Sequence, residues 1–220
     1  MGFFEPERYF SRISHIDVKK DLLDRGFRHV LLDIDNTILS RETHAIPRDV
    51  AVWLADARTA GVEFCLVSNN WHDSVLELAG ELDLPIVAKA MKPLPHGFVL
   101  GMRKLGAKTA STVVIGDQLS TDIAGAHLVG ITAYMLQPLA EQDLRHTLVL
   151  RVIERALLGD REPEPAPAFW DEPAACPASC CSNAACAPCA PEAASAVGAG
   201  MASACYAPCA PEAAAEVKRA

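Results

Sequence analysis

The chain has 220 residues, 50% of them hydrophobic, with 20 Lys and Arg against 28 Asp and Glu and a formal charge of −8. That apolar share suffices for one or two packed domains, and the acidic balance argues against a nucleic-acid partner, which needs a basic stripe. No apolar run approaches the roughly 18 residues of a membrane span, and Glu5, Pro6, Glu7 and Arg8 stand where a signal peptide needs its apolar core.

Residues 1–28 read as a lead-in. Phe3, Phe4, Tyr9, Phe10, Ile13 and Ile16 are interspersed with Arg8, Arg12, Lys19, Lys20, Arg25 and Arg28. That mixture suits contact with an anionic membrane surface; the competing reading packs the aromatics on the domain. Residues 29–160 then alternate between two periods. His29–Ile34 is a short apolar run bounded by a turn, the pattern of a buried strand. Pro47 opens a helix with Val50, Leu54 and Ala57 on one side and Gly61 beyond its end. Val62–Val67 is a second strand, Trp71–Leu82 a helix, Pro85–Val87 a short strand and Leu94–Leu105 a helix. Thr112–Ile115 is a strand, Thr121–Leu128 a helix, Ile131–Met135 a strand, and Leu139–Leu158 a long closing helix. Such alternation predicts an α/β fold, a mostly parallel sheet with helices on both faces. Its ligands belong beyond the carboxyl ends of the strands.

From Arg161 the composition changes. Nine of the 15 prolines follow Gly159 and seven of the 8 cysteines follow Ala175. Alanine and cysteine bury little area each, so 161–220 reads as a disordered, low-complexity tail. It holds a near-repeat, ACAPCAPEAA at Ala185–Ala194 and ACYAPCAPEAA at Ala204–Ala214. Cys186 and Cys189, with Cys205 and Cys209, have spacings that admit a thiolate zinc site. The glycines and apolar knuckle residues of structural zinc sites are missing, which favours plain reduced thiols.

The strand ends carry a consistent series. The first ends Asp33-Ile34-Asp35-Asn36-Thr37, the second Ser68-Asn69-Asn70, and the third region supplies Lys89 and Lys92-Pro93. The fourth ends Gly116-Asp117-Gln118-Leu119-Ser120-Thr121-Asp122. Two carboxylates two residues apart can divide attack and proton transfer between them. A hydroxyl, an amide and an ammonium suit phosphate oxygens, and hard carboxylate oxygens suit Mg2+. A carboxylate can attack phosphorus once cation and lysine screen the repulsion. Singly, each element has a structural reading: Ser68 as a helix cap, Asp122 as a helix start, Lys92 as a surface residue. The ordered set across four strands points to phosphoryl transfer.

DIDNT, SNN, KP and GDQLSTD together resemble the four motifs of the haloacid-dehalogenase-like phosphatase superfamily. More narrowly, residues 3–135 resemble its subfamily IIIA phosphatases of the YqeG type, related to mitochondrial phosphatidylglycerophosphate phosphatases. The resemblance implies a Rossmann-like three-layer α/β/α sandwich. It implies Asp33 as nucleophile, Asp35 as general acid and base, and Lys92 as the neutralising cation. Thr37, Ser68 and Asn69 would serve the phosphate, and Asp33, Asp35, Asp117 and Asp122 the magnesium, with Asp122 auxiliary. About ten residues separate Thr37 from the helix at Pro47, and Leu82–Thr112 has no room for an inserted domain, so the site is expected to be capless. A capless site suits a lipid headgroup or a macromolecular phosphate.

The leading expectation is a Mg2+-dependent phosphatase converting phosphatidylglycerophosphate to phosphatidylglycerol in phospholipid biosynthesis, cytoplasmic and peripheral on the inner membrane face. The alternatives are the same chemistry on a soluble or macromolecular monophosphate, and a non-catalytic binding protein whose active part is the Cys-rich tail.

Overall fold

The runs HVLL, EFCLV and TVVIG place apolar side chains on both strand faces, the pattern of strands covered on two sides. The computed structural model describes residues 2–41, 43, 45–139 and 161–166. Its strands are β1 (Arg8–Phe10), β2 (His29–Leu32), β3 (Glu63–Val67), β4 (Ile86–Val87), β5 (Thr112–Gly116) and β6 (Thr132–Leu136). They form one parallel sheet in the order β1-β6-β5-β2-β3-β4. The helices are α1 (Arg48–Thr59), α2 (Asp73–Glu81), α3 (Pro95–Leu105) and α4 (Ala124–Leu128).

Strand periodicity sorts the core into two layers. Val30 and Leu32 of β2 pack in one cluster with Trp53 and Leu54 of α1 and Val75 and Leu78 of α2. Leu31, on the opposite face, packs with Phe98 of α3 and Ala126 of α4. A Cβ at Gly101 of α3 would lie 2.9 Å from Leu31 Cδ2, so this glycine lets α3 approach the sheet closely. The fold is the expected Rossmann-like three-layer sandwich. The chain runs outward from β2 through β3 to β4, then α3 carries it back to β5 on the other side of β2. That reversal places the crevice at the carboxyl end of β2.

The elements expected between 29 and 135 are present within two residues at most ends. The helix expected over Thr121–Leu128 divides, into a π-helical turn at Leu119–Ile123 followed by α4. The lead-in, set apart in the sequence reading, supplies β1, which is too short for its period to register. Tyr9, Phe10, Ile13 and Ile16 are core residues rather than surface ones, leaving Phe3 and Phe4 exposed.

Residues 161–166, beyond the expected boundary at 160, lie along β1. Glu164 N–H donates to Tyr9 O at 2.7 Å, and Arg161 donates to Pro6 O at 3.0 Å. Arg8 is gripped by Asp21 through Nη1 and, through Nε and Nη2 together, by both oxygens of Glu164. This pairing is charge-driven, and composition alone does not reveal it. The expected closing helix, beyond Leu139, and the cysteine-rich tail lie outside the described residues.

Candidate active site

The candidate residues sit where the sheet's backbone order gives way to turns. Asp33 still belongs to the ladder, its N–H donating to Ile115 O at 3.0 Å. The chain then reverses tightly: Ile34 O accepts from the N–H groups of Thr37, Ile38 and Leu39, and Asn36 takes φ 61°. Asparagine tolerates this left-handed conformation better than most side chains. The turn brings Thr37 Oγ1 back to donate to Asp33 Oδ2 at 3.1 Å. Thr37 thus holds the Asp33 carboxylate in place.

Lys92 reaches in from the loop after β4. Its Nζ donates to Asp33 Oδ1 at 2.5 Å and to Asp122 Oδ1 at 2.6 Å, and all three side chains are buried. Burial alone would drive the proton off Lys92. The carboxylates of Asp122 and Asp33 outweigh it and hold the ammonium above its ordinary range. Burial pushes Asp122 up to about 6, against the opposing pull of Lys92.

The loop carrying Lys92 is clamped by Asn69. The Asn69 side chain accepts from Lys92 N–H at 2.6 Å and donates to Lys92 O at 3.0 Å. Both ends of that amide are spent on the lysine's backbone, so the Asn69 side chain positions Lys92. Ser68 is buried, and its Oγ accepts from Asn70 N–H at 3.0 Å, a bond that leaves the hydroxyl proton unspent.

The π-helical turn after β5 brings Asp122 back over Gly116. Asp122 Oδ2 accepts from Gln118 N–H at 3.2 Å, while a Cβ at Gly116 would stand 2.5 Å from that same oxygen. Only a glycine leaves room for this carboxylate. Asp35 is partly open, with Arg41 Nε 3.8 Å from its Oδ1. Burial, and then the charge of Asp33, raise its pKa, which favours a carboxyl able to hold a proton.

Asp33, Asp117 and Asp122 are all buried and can each bring one carboxylate oxygen within 4.8 Å of the others. The set offers oxygen donors alone, without imidazole or thiolate, and carries three carboxyls against the one ammonium of Lys92. This donor chemistry fits a hard divalent cation such as Mg2+. Asp35 does not join that cluster through its side chain, and both Asp122 oxygens are engaged by Lys92 and the Gln118 backbone.

Three residues escape the sequence reading. Gly116 matters for the volume it does not occupy, which spacing cannot reveal. Arg41 meets Asp35 only through the folding of its loop. Asn36 is fully buried, with Nδ2 lacking a partner among the described residues. Its place inside DIDNT was the available signal.

The model of the haloacid dehalogenase-like hydrolase family matches residues 15–130, and the chain belongs to that family. Within it, the chain is similar to the protein named probable phosphatase YqeG of Bacillus subtilis (strain 168). The two are 32% identical over 157 residues, covering 71% of this chain and 90% of that relative. A shorter likeness, 33% over 64 residues, joins it to ribulose-1,5-bisphosphate 5-phosphatase of Halopiger xanaduensis, covering 29% of this chain and 27% of that one. Among solved structures it is similar to the cobalt-bound deoxy-D-mannose-octulosonate 8-phosphate phosphatase of Haemophilus influenzae. There the TM-score is 0.42 at 11% identity, over 61% of this chain and 88% of the other.

Proposed function

We propose that this hydrolase is a Mg2+-dependent phosphomonoesterase that works through a phosphoryl group carried on Asp33. The observation that carries the reading is the grip of one buried ammonium, Lys92, on Asp33 and Asp122 at the carboxyl end of the central strand. Lys92 lowers the charge that an anionic substrate meets, and Thr37 fixes the Asp33 carboxylate for in-line attack.

An oxygen of Asp33 forms a bond to phosphorus as the bond to the ester oxygen breaks. Asp35 gives its proton to that departing oxygen. In the second half Asp35 takes a proton from water, whose oxygen attacks phosphorus and frees Asp33 and inorganic phosphate. The Ser68 hydroxyl and the Asn69 backbone N–H are the proposed donors to the transferring oxygens. Asp33 and Asp117, with the Asp35 backbone carbonyl, would hold the cation, and Asp122 adds charge from behind Lys92. The cation, when bound, supplies positive charge against the phosphate oxygens.

The proposed substrate is phosphatidylglycerophosphate, handled at the cytoplasmic face of a membrane. Among the described residues no inserted domain follows β2 or β4 to enclose a small metabolite, which suits a headgroup at a lipid surface. Phosphate release is to be measured from that lipid in mixed vesicles and from a panel of sugar, nucleotide and protein monophosphates, with and without Mg2+. Release from the lipid, dependent on Mg2+ and absent in Asp33→Asn, supports the reading. Faster release from a soluble ester replaces the substrate, and release that survives Asp33→Asn overturns the mechanism.

A further inference from the structure

Apart from Leu76 on α2, the exposed large apolar side chains among the described residues gather at opposite ends of the sheet. Phe3, Phe4 and Leu128 lie at the amino ends of the strands: Phe3 O contacts His127 Nδ1 at 2.6 Å, just before β6 begins. Trp71, Met91 and Leu94 lie at the carboxyl ends, on the two loops that supply Ser68, Asn69 and Lys92, and are 60%, 56% and 53% exposed. Those loops are zipped together by Ala90 N–H on Ser68 O and Lys89 N–H on Asn70 O. Met91 has φ 55°, a left-handed residue between a buried alanine and a buried lysine. The loop thus turns Lys92 inward to Asp33 and leaves Met91 outside.

The chemistry of this rim narrows its partner. Trp71 is stacked on His72, centroids 5.1 Å apart, and carries Lys89 Nζ 4.8 Å from its own centroid. The chain itself supplies the ring's stacking partners, which disfavours a planar ligand. Residues 68–72 and 88–94 contain no acid, although the protein is acidic as a whole and the exposed Asp73 opens α2 just beyond His72. An indole with a polar edge, two aliphatic tips and a lysine match the boundary between acyl chains and anionic headgroups. The aromatic pair at the other pole would turn the reaction centre away from a bilayer.

We propose that the rim of Trp71, Met91 and Leu94 is the face by which this protein docks on an anionic bilayer, with Asp33 directed at the headgroups. The inference deepens the hydrolase reading, but the docking is read by binding alone, so each can fail separately. The full chain is sedimented with vesicles of phosphatidylcholine containing about a third phosphatidylglycerol, and with phosphatidylcholine alone. It associates with the anionic vesicles. The triple variant Trp71→Ser, Met91→Asn, Leu94→Ser loses at least about tenfold in partitioning; asparagine suits the left-handed position of Met91. Lys89→Glu, which disturbs no core residue, weakens binding in the same direction and guards against misfolding of the triple variant. Phe3→Ser with Phe4→Ser stays within about twofold of the unmodified chain. Asp33→Asn, silent in phosphate release, still binds. The proposal is overturned if the unmodified chain stays in the supernatant, if the rim variants bind undiminished, or if the Phe3 and Phe4 pair carries the binding. It is equally overturned if the rim mediates concentration-dependent self-association without vesicle binding.

Discussion

Two cations among the described residues are each held between two acids. Lys92 sits between Asp33 and Asp122, and Arg8 between Asp21 and Glu164. The difference is balance. The Arg8 guanidinium fits its fork to both oxygens of Glu164, and the second oxygen of Asp21 accepts Asp17 N–H at 2.9 Å. That cluster is saturated, and it ties β1 to 161–166. In the Lys92 cluster a compact ammonium bonds Asp33 and Asp122, Asp117 lies within reach of those two carboxyls, and the pKa of the neighbouring Asp35 is raised. Donors meet the carboxylate oxygens of both pairs alike; what sets the Lys92 cluster apart is a third buried carboxyl, Asp117, which leaves its charge incomplete.

Asp33→Asn is expected to have the largest effect, cutting phosphate release by at least about 10⁴-fold. Next comes Lys92→Met, with a loss of about 10²–10³-fold in kcat. Two buried carboxylates are then unpaired, and denaturant titration is expected to show about 3–5 kcal/mol of lost stability. Adding Asp122→Asn recovers part of the stability and none of the rate. Arg8→Met is the contrasting case. It lowers stability by about 2–3 kcal/mol, the more exposed Glu164 contributing little, yet leaves kcat within about twofold.

Gly116→Ala sharpens the geometry: its Cβ must displace the Asp122 carboxylate. It is expected to cost about 1–3 kcal/mol and about tenfold in kcat. The smallest effect is on pH. The Arg8 hydrogen bond holds Glu164 below its ordinary 4.5. A depressed carboxyl adds stability that is present above the unfolded value and is lost as pH falls through the folded one. Melting temperatures recorded downward from pH 4.5 should therefore decline more steeply in the unmodified chain than in Arg8→Met.

Much of this was legible from residue order. Aliphatic runs bounded by Gly and Pro mark β2, β3 and β5, because strands covered on both faces must be apolar throughout. The site residues are legible because a parallel sheet collects its strand ends at one edge. What escapes depends on long-range contact. β1 is three residues long and is defined by pairing with β6. Asn69 reads as a phosphate ligand, yet its amide is taken by a backbone 23 residues away. The π-helical turn at Leu119–Ile123 reads as ordinary helix, since nothing in the spacing says that Asp122 must fold back on Gly116.

The segment 161–166 carries one more consequence. β1 is an outer strand, and Glu164 meets its free side through Tyr9 O and the bridge to Phe10. β4, at the opposite border, is only two residues long and offers little to pair with. A chain truncated at 160 would bare β1 as a template for another copy, while one truncated at 166 keeps it covered. Truncation six residues too early should thus turn a well-behaved sample into one prone to aggregation, with no change to any residue of the reaction centre.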